Sequence, residues 1–361
     1  MSEKKRQSNF ELLRIVSMLM IIGHHLASHG GLSFDSQHIT ANRLWTQFLM
    51  YGGHIGLDAF VLISGYFMVE EKSFKLTKIV RMWLMMLTYS IVIYYITKSV
   101  NETVYHKELR DFVFLPINNE FWGFASAYFV LMIFAPFINV LLNKISKNAY
   151  RVMLVTILIL WSIVPTVSKY SFGGNYFTWL AALYSIAGYI KLYPEDFSRG
   201  KSFYRKWMFI LWGLSFLSAV VLDLLGFKFA KCAEYATHFS GMQHINIVLT
   251  AVCMFLTFME VSVGKNGYSK AVNLVASTTF AVYLIHDDYF LRDWLWGTVF
   301  NNTDKTANWW FIPETVGEII VIFAGCMVIE LVRQNLLEKY YMKGISKLLE
   351  KPQAFIDKMM D

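Results

Sequence analysis

The sequence predicts an all-α integral membrane protein that crosses the bilayer about ten times. Three observations carry that expectation. The 361 residues are 56% hydrophobic and only 16% charged, with a mean hydropathy of +0.42. Soluble domains carry about 25% charged residues and less apolar content. Apolar segments of roughly 17–25 residues, the length that spans a hydrocarbon core, recur along the whole chain. The connections between them alternate in lysine and arginine content, as the positive-inside rule requires of a polytopic protein.

The segments fall near 10–29, 48–69, 78–97, 121–142, 150–168, 176–192, 206–226, 244–262, 274–291 and 314–335. The first follows Lys4, Lys5 and Arg6. It is too long for a signal-peptide core and lacks a small-residue cleavage site, so it is expected to be retained. Further basic connections hold Lys72, Lys75 and Lys78, then Lys144, Lys147 and Arg151, then Lys191, Arg199, Lys201, Arg205 and Lys206, then Lys265 and Lys270. The opposite connections hold only Arg43, Lys98, Lys107, Arg110, Lys169, Lys228, Lys231, Arg292 and Lys305. Both termini are therefore expected in the cytoplasm. Three longer polar connections on the outer side, near 30–47, 98–120 and 227–243, are candidate walls for an outward-facing site. After residue 335, Leu336, Leu337, Tyr340, Tyr341, Ile345, Leu348 and Leu349 alternate with Lys339, Lys343, Lys347 and Lys351. That pattern predicts a basic amphipathic helix on the cytoplasmic leaflet. The net charge of +7 thus points to the lipid bilayer as partner, not to nucleic acid. Cys232, Cys253 and Cys326 make neither a CxxC motif nor a disulfide framework.

Within this apolar background the ionisable residues stand out. Groups of that kind are costly in a bilayer and normally face the bundle interior or a wet cavity. Arg14 and His25 lie eleven residues apart on the first segment, which returns the helix to within about 20° of the same face. They are stacked about 16 Å apart along its axis. His24 points about 100° away and reads as structural. The second segment carries Asp58 and then Ser64-Gly65-Tyr66, a polar line in an apolar helix, and the third opens with Lys78 and Arg81, level with Arg14. The ninth holds Tyr283-Leu-Ile-His286-Asp287-Asp288, and its His286 is expected at the depth of His25.

Arg14-x10-His25, Phe60-x3-Ser64-Gly65-Tyr66 and Tyr283-Leu-Ile-His286, in that order and over essentially the whole chain, resemble the membrane acyltransferase-3 family. The resemblance implies an acyltransferase-3-like transmembrane domain over 1–335 and a separate tail over 336–361. It implies transfer of an acyl group, often acetyl from cytoplasmic acetyl-CoA, to a hydroxyl of an extracytoplasmic or lipid-linked glycan, with the Arg-x10-His pair central. A bacterial plasma membrane is the expected location. Many relatives carry a fused extracytoplasmic esterase-like domain that this sequence lacks. The chain is expected either to finish the transfer itself, alone or as a homo-oligomer, or to pass the group to a partner glycan-assembly protein.

The residues fit that chemistry. Arginine binds phosphate through a fork of donors that stays charged, so Arg14, Arg81 and Lys78 are the candidate binders of an acyl-CoA. Histidine deprotonates a hydroxyl at neutral pH or carries an acyl group itself, so His25 is the candidate catalytic centre. Direct transfer and an acyl-imidazole remain alternatives. Ser64, Tyr66, Asp58, Tyr283 and His286 are the candidates for polarising the carbonyl or orienting the imidazole.

Plainer readings exist for each. Arg14 can snorkel and pair with Glu11; His25 can be an interhelical hydrogen-bonding residue; Ser64-Gly65 can be a packing contact. His286 with Asp287 and Asp288 can be an outer interfacial cluster, and Glu318 either an acceptor-hydroxyl partner or a counter-ion. His25 and His29 sit at i,i+4 as metal ligands do, yet the sequence offers no evident third ligand, and no metal is expected. A polytopic flippase for a lipid-linked glycan is the competing function, although no repeat relates the two halves as transporters often require. A non-catalytic scaffold leaves the aligned Arg14 and His25 unexplained.

Overall fold

The computed structural model describes residues 7–34, 38–100, 107–114, 116–117, 122–168, 170, 174–264 and 267–360. Every regular element among them is a helix. Eight stretches are long and apolar enough to cross a membrane. They comprise α1 (Ser8–His29), α2 (Ala41–Met68), α3 (Leu76–Val100), α4 (Gly123–Lys144) and α5 (Lys147–Val167). Then, with α6 (Tyr176–Leu192) intervening, come α7 (Lys201–Gly226) and α8 (Ile245–Met259), the last inside a longer apolar stretch. After α9 (Gly267–Ala276) and α10 (Thr279–His286), the eighth stretch holds α11 (Phe311–Arg333), a π turn and α12 (Lys339–Met360). Two of the segments expected from sequence take another form. The one near 176–192 is α6, with only 17 residues. The one near 274–291 is interrupted at Ser277 and Thr278, between α9 and α10.

Local chemistry sets the helix ends. Thr40 caps α2 by accepting from the Arg43 amide at 3.2 Å, and Asn175 with Thr178 forms a reciprocal capping box at the start of α6. The chain leaves α1 through Gly31 at φ +62°, a conformation that glycine adopts without steric cost. Pro136 lies inside α4 and cannot donate to the Met132 carbonyl one turn back.

Side-chain bonds show which helix ends meet. The Asn9 amide donates to the Phe258 and Met259 carbonyls at 3.0 Å each, joining the start of α1 to the end of α8. Asn139 of α4 donates to Met68 and Glu71 past the end of α2. Lys191, near the end of α6, lies 3.5 Å from Glu70. At the far end Arg43 of α2 is buried against Asp223 of α7 at 2.6 Å, and Trp45 donates to Thr315 of α11 at 3.0 Å. The near end collects Lys72, Lys75, Lys78, Lys144, Lys147 and Lys191, a basic rim. Lys4, Lys5, Arg6, Lys169 and Lys265 lie outside the described residues. Glu318 accepts from Asn302 at 2.6 Å and sits 3.7 Å from Lys305, so it is a counter-ion within the far-end turns.

The centre of the bundle is α2. Its apolar window is 83% buried, against 22% for α7 on the periphery. Glycines make that possible. A Cβ at Gly53 would fall 2.0 Å from the His24 Cβ, and one at Gly56 would fall 2.7 Å from the Ser17 carbonyl of α1. On the other flank a Cβ at Gly65 would fall 2.8 Å from the Tyr184 carbonyl of α6. Helices approach this closely in membranes where small residues line the contact. His24 is thereby confined against α2, its Nδ1 donating to the Met50 carbonyl at 3.0 Å.

Beyond α11 the chain turns back onto α3. Gln353 bonds the Phe74 carbonyl at 2.7 Å and the Leu76 amide at 2.9 Å. Buried Arg333 holds Glu330 and Glu338, and Glu330 accepts from Tyr89 of α3. Leu336, Leu337, Tyr340, Leu348 and Phe355 remain exposed along this tail.

Candidate active site

At the near end of the bundle α1, α2, α3, α4 and α6 enclose a cleft of about 520 Å³ that includes Arg14, Ser64, Lys78, Tyr128 and Lys191. A second lobe of about 230 Å³ shares Arg14, Lys78 and Tyr128 and adds Arg81, Phe60 and Phe280. Lys78 and Arg81, expected from sequence to be level with Arg14, line the two lobes of this cleft with it, and Lys191 is a fourth cation.

Their local partners are acidic but loosely held. Lys78 is 3.4 Å from Glu71, and Arg81 is 3.3 Å from Glu338 of the π turn. Arg14 lies 3.8 Å from Glu11 and 5.8 Å over the Phe60 ring. Its Nε is buried and has no hydrogen-bond partner among the described residues. A buried unmet donor costs about 1–3 kcal/mol, a cost that no described residue offsets at this Nε. The Glu11 contact anticipated from sequence therefore coexists with an unmet buried donor on a residue that lines the cleft.

Near the other end of α1, His25 meets His286 of α10. The His25 Nδ1 and His286 Nε2 are 2.9 Å apart, and the His286 Nδ1 is 2.6 Å from the Val282 carbonyl. A carbonyl only accepts, so the His286 Nδ1 carries a proton. In a neutral imidazole the Nε2 is then a bare lone pair, and it accepts from the His25 Nδ1–H. The chain of bonds leaves the second lone pair on the His25 Nε2. One backbone carbonyl thus sets the tautomer of both rings and makes the His25 Nε2 the basic atom. Among the described residues that nitrogen has no hydrogen-bond partner.

Around this pair, the Tyr283 ring lies 6.0 Å from His25 and 6.1 Å from His286. The Asp287 Oδ1 lies 3.6 Å from the His25 Nδ1 and 3.7 Å from the His29 Nε2, and it is buried without a hydrogen bond. An aromatic wall joins the two ends. Phe60 and Phe280 pack against Tyr128, Phe124 stacks on Tyr128 at 5.8 Å, and Phe124 meets Tyr283 edge-on at 5.3 Å.

The remaining sequence candidates divide by place. Ser64 shares a 2.7 Å hydrogen bond with Tyr128 on the cleft wall. Tyr66 packs between Phe10 and Phe255 under the Lys191 ammonium, at the near end and away from the imidazoles. Asp58 is fully buried and accepts from Trp179 of α6 at 3.2 Å, with its other oxygen unpartnered. Sequence reasoning missed Lys191 and Tyr128 as members of these clusters, and it grouped Asp287 with His286 without placing either beside His29. Lys191 had a usable signal, a cation at the end of an apolar segment. Tyr128 had none.

A family model described as an acyltransferase domain matches residues 7–331. The match takes in α1 to α10 and all but the last two residues of α11. No curated protein and no solved structure matches the chain.

Proposed function

The chain belongs to the acyltransferase-3 family, and from that premise we propose that it moves an acetyl group from cytoplasmic acetyl-CoA to a hydroxyl of an extracytoplasmic or lipid-linked glycan. In this reading ten membrane crossings leave both termini in the cytoplasm of a bacterial plasma membrane. The basic rim at the near end supports that orientation.

One observation carries the reading: a single helix presents an arginine with an unmet donor in a cationic cleft and, about 16 Å further on, an imidazole with an available lone pair. An acyl-CoA has this layout, with phosphates at one end and a thioester at the end of a flexible arm. Arg14, Lys78, Arg81 and Lys191 bind the phosphates. The arm follows the wall of Phe60, Tyr128 and Phe280 toward Tyr283. The His25 Nε2 then takes the proton of the acceptor hydroxyl as its oxygen attacks the thioester carbonyl. The tetrahedral intermediate collapses with loss of the thiolate, which takes the proton back from the Nε2 and leaves as the free thiol. His286 is a positioning residue that holds the tautomer.

The test is binding and hydrolysis of acetyl-CoA by purified protein in nanodiscs, comparing wild type with Arg14→Ala and His25→Ala. Losing a charge-assisted hydrogen bond costs about 1.5–3 kcal/mol, so Arg14→Ala should weaken binding about 10- to 150-fold. His25→Ala should bind normally and fail to turn over. If wild type does not bind acetyl-CoA, the donor assignment is wrong, and transport of a lipid-linked glycan becomes the function to measure.

A further inference from the structure

His29, the last residue of α1, and Asp287, which follows α10, have no part in the chemistry above, yet they converge on His25. One ligand atom from each of His25, His29 and Asp287 lies within 4.8 Å of the other two. The His25 Nδ1 is 3.6 Å and the His29 Nε2 is 3.7 Å from the Asp287 Oδ1. That oxygen is buried and lacks a hydrogen-bond donor, on a side chain only 9% exposed. Zinc bonds of about 2.0–2.2 Å in a tetrahedron put neighbouring ligand atoms about 3.3 Å apart. The two edges to Asp287 need to contract by only a few tenths of an ångström, and the His25–His29 edge, no longer than 4.8 Å, by at most about 1.5 Å. His29 is 30% exposed, which gives an ion a way in from the far end of the bundle.

We propose that His25, His29 and Asp287 form a zinc-class divalent-cation site whose occupation switches off acyl transfer. Two neutral imidazoles and one carboxylate suit zinc better than magnesium or calcium, which prefer oxygen donors. The fourth position stays open to water or to the His286 Nε2, only 2.9 Å from the His25 Nδ1. His286 is already oriented as metal-bound histidines are, by its Nδ1–H on a backbone carbonyl. Binding at the His25 Nδ1 needs that nitrogen's lone pair, so the proton moves from Nδ1 to Nε2. No proton is lost overall, but the Nε2 lone pair that serves as the base is consumed. Zinc is therefore an inhibitor here and not a participant in the reaction. The binding claim stands apart from the acyltransfer reading; the inhibition claim rests on it.

The experiment uses full-length protein in nanodiscs, purified without a polyhistidine tag, stripped with chelator and titrated with zinc chloride. Bound metal is read by equilibrium dialysis and elemental analysis, and acetyl-CoA turnover is measured in parallel. Wild type should bind one saturable equivalent that His29→Ala and Asp287→Asn each weaken at least tenfold. His29→Ala leaves the His25–His286 bond in place, so it should keep turnover while requiring at least tenfold more zinc for half-inhibition. Thermal unfolding in chelator checks that both variants are folded. No saturable equivalent, or equal affinity in wild type and both folded variants, overturns the site. Binding at these residues with turnover unaffected overturns the switch while leaving the site. Absence of turnover in metal-free wild type indicts the acyltransfer reading instead.

Discussion

His286 is the sharpest test of the tautomer argument. Its Nε2 accepts the His25 Nδ1–H at 2.9 Å, and replacing it with alanine leaves that donor without a partner. A buried unmet donor costs about 1–3 kcal/mol, and the cost falls only on the tautomer that leaves the His25 Nε2 bare. The population of the working tautomer should then drop about 5- to 150-fold at roughly 1.4 kcal/mol per decade. The kcat for acetyl transfer falls by that factor. The KM for acetyl-CoA should stay within about twofold, because Arg14, the proposed phosphate-binding residue on α1, is about 16 Å away along that helix. His286→Gln supplies an amide oxygen where the imidazole nitrogen was, and should recover part of the lost kcat. Steady-state kinetics on nanodisc-embedded protein, with thermal unfolding to show that each variant is folded, decides the matter. An unchanged kcat in folded His286→Ala, or a loss confined to KM, refutes the assignment of the basic nitrogen.

Two further outcomes test the packing. Gly53→Ala puts a methyl 2.0 Å from the His24 Cβ; overpacking of that kind costs about 1–3 kcal/mol or more and should lower the unfolding midpoint in detergent. Gly213→Ala, which meets nothing within 4 Å, should not, and equal midpoints for the two would mean that α1 and α2 are not in close contact. Arg43→Ala strands the buried Asp223 carboxylate and should destabilise by about 3–5 kcal/mol. The double variant Arg43→Met with Asp223→Leu should recover most of the loss, measured by the same unfolding assay. Additive losses would show that the two side chains are not a pair.

The sequence made some of this legible because some of it is local. Helical periodicity alone aligns Arg14 with His25, and the charge register of the connections brings Lys78 and Arg81 level with Arg14. Both follow from the rise and turn of one helix and the sidedness of its neighbours. The partner of His25 is a different matter. His286 is 261 residues away, and its bond depends on how α10 is rotated after a break at Ser277 and Thr278 that an apolar segment does not announce. Asp287 illustrates the same limit. It reads as a carboxylate at the membrane edge, and only the packing of α10 against α1 turns it toward His25 and His29. The glycines of α2 are visible in the sequence, but which helix each one admits is a property of the assembled bundle.

The helix that carries Arg14 and His25 runs unbroken from Ser8 to His29, whereas π turns interrupt the stretches at Ile159–Ile163 and Gln334–Glu338. Arg14 and His25, the proposed grip and base, therefore ride one rigid rod, and their separation is a gauge fixed by backbone geometry. In the proposed reaction the rod spans the donor from its phosphates to its reactive carbon and is indifferent to what hangs beyond. A single residue inserted between Arg14 and His25 would lengthen the gauge by about 1.5 Å but swing the imidazole by about 100°, off the face it shares with Arg14.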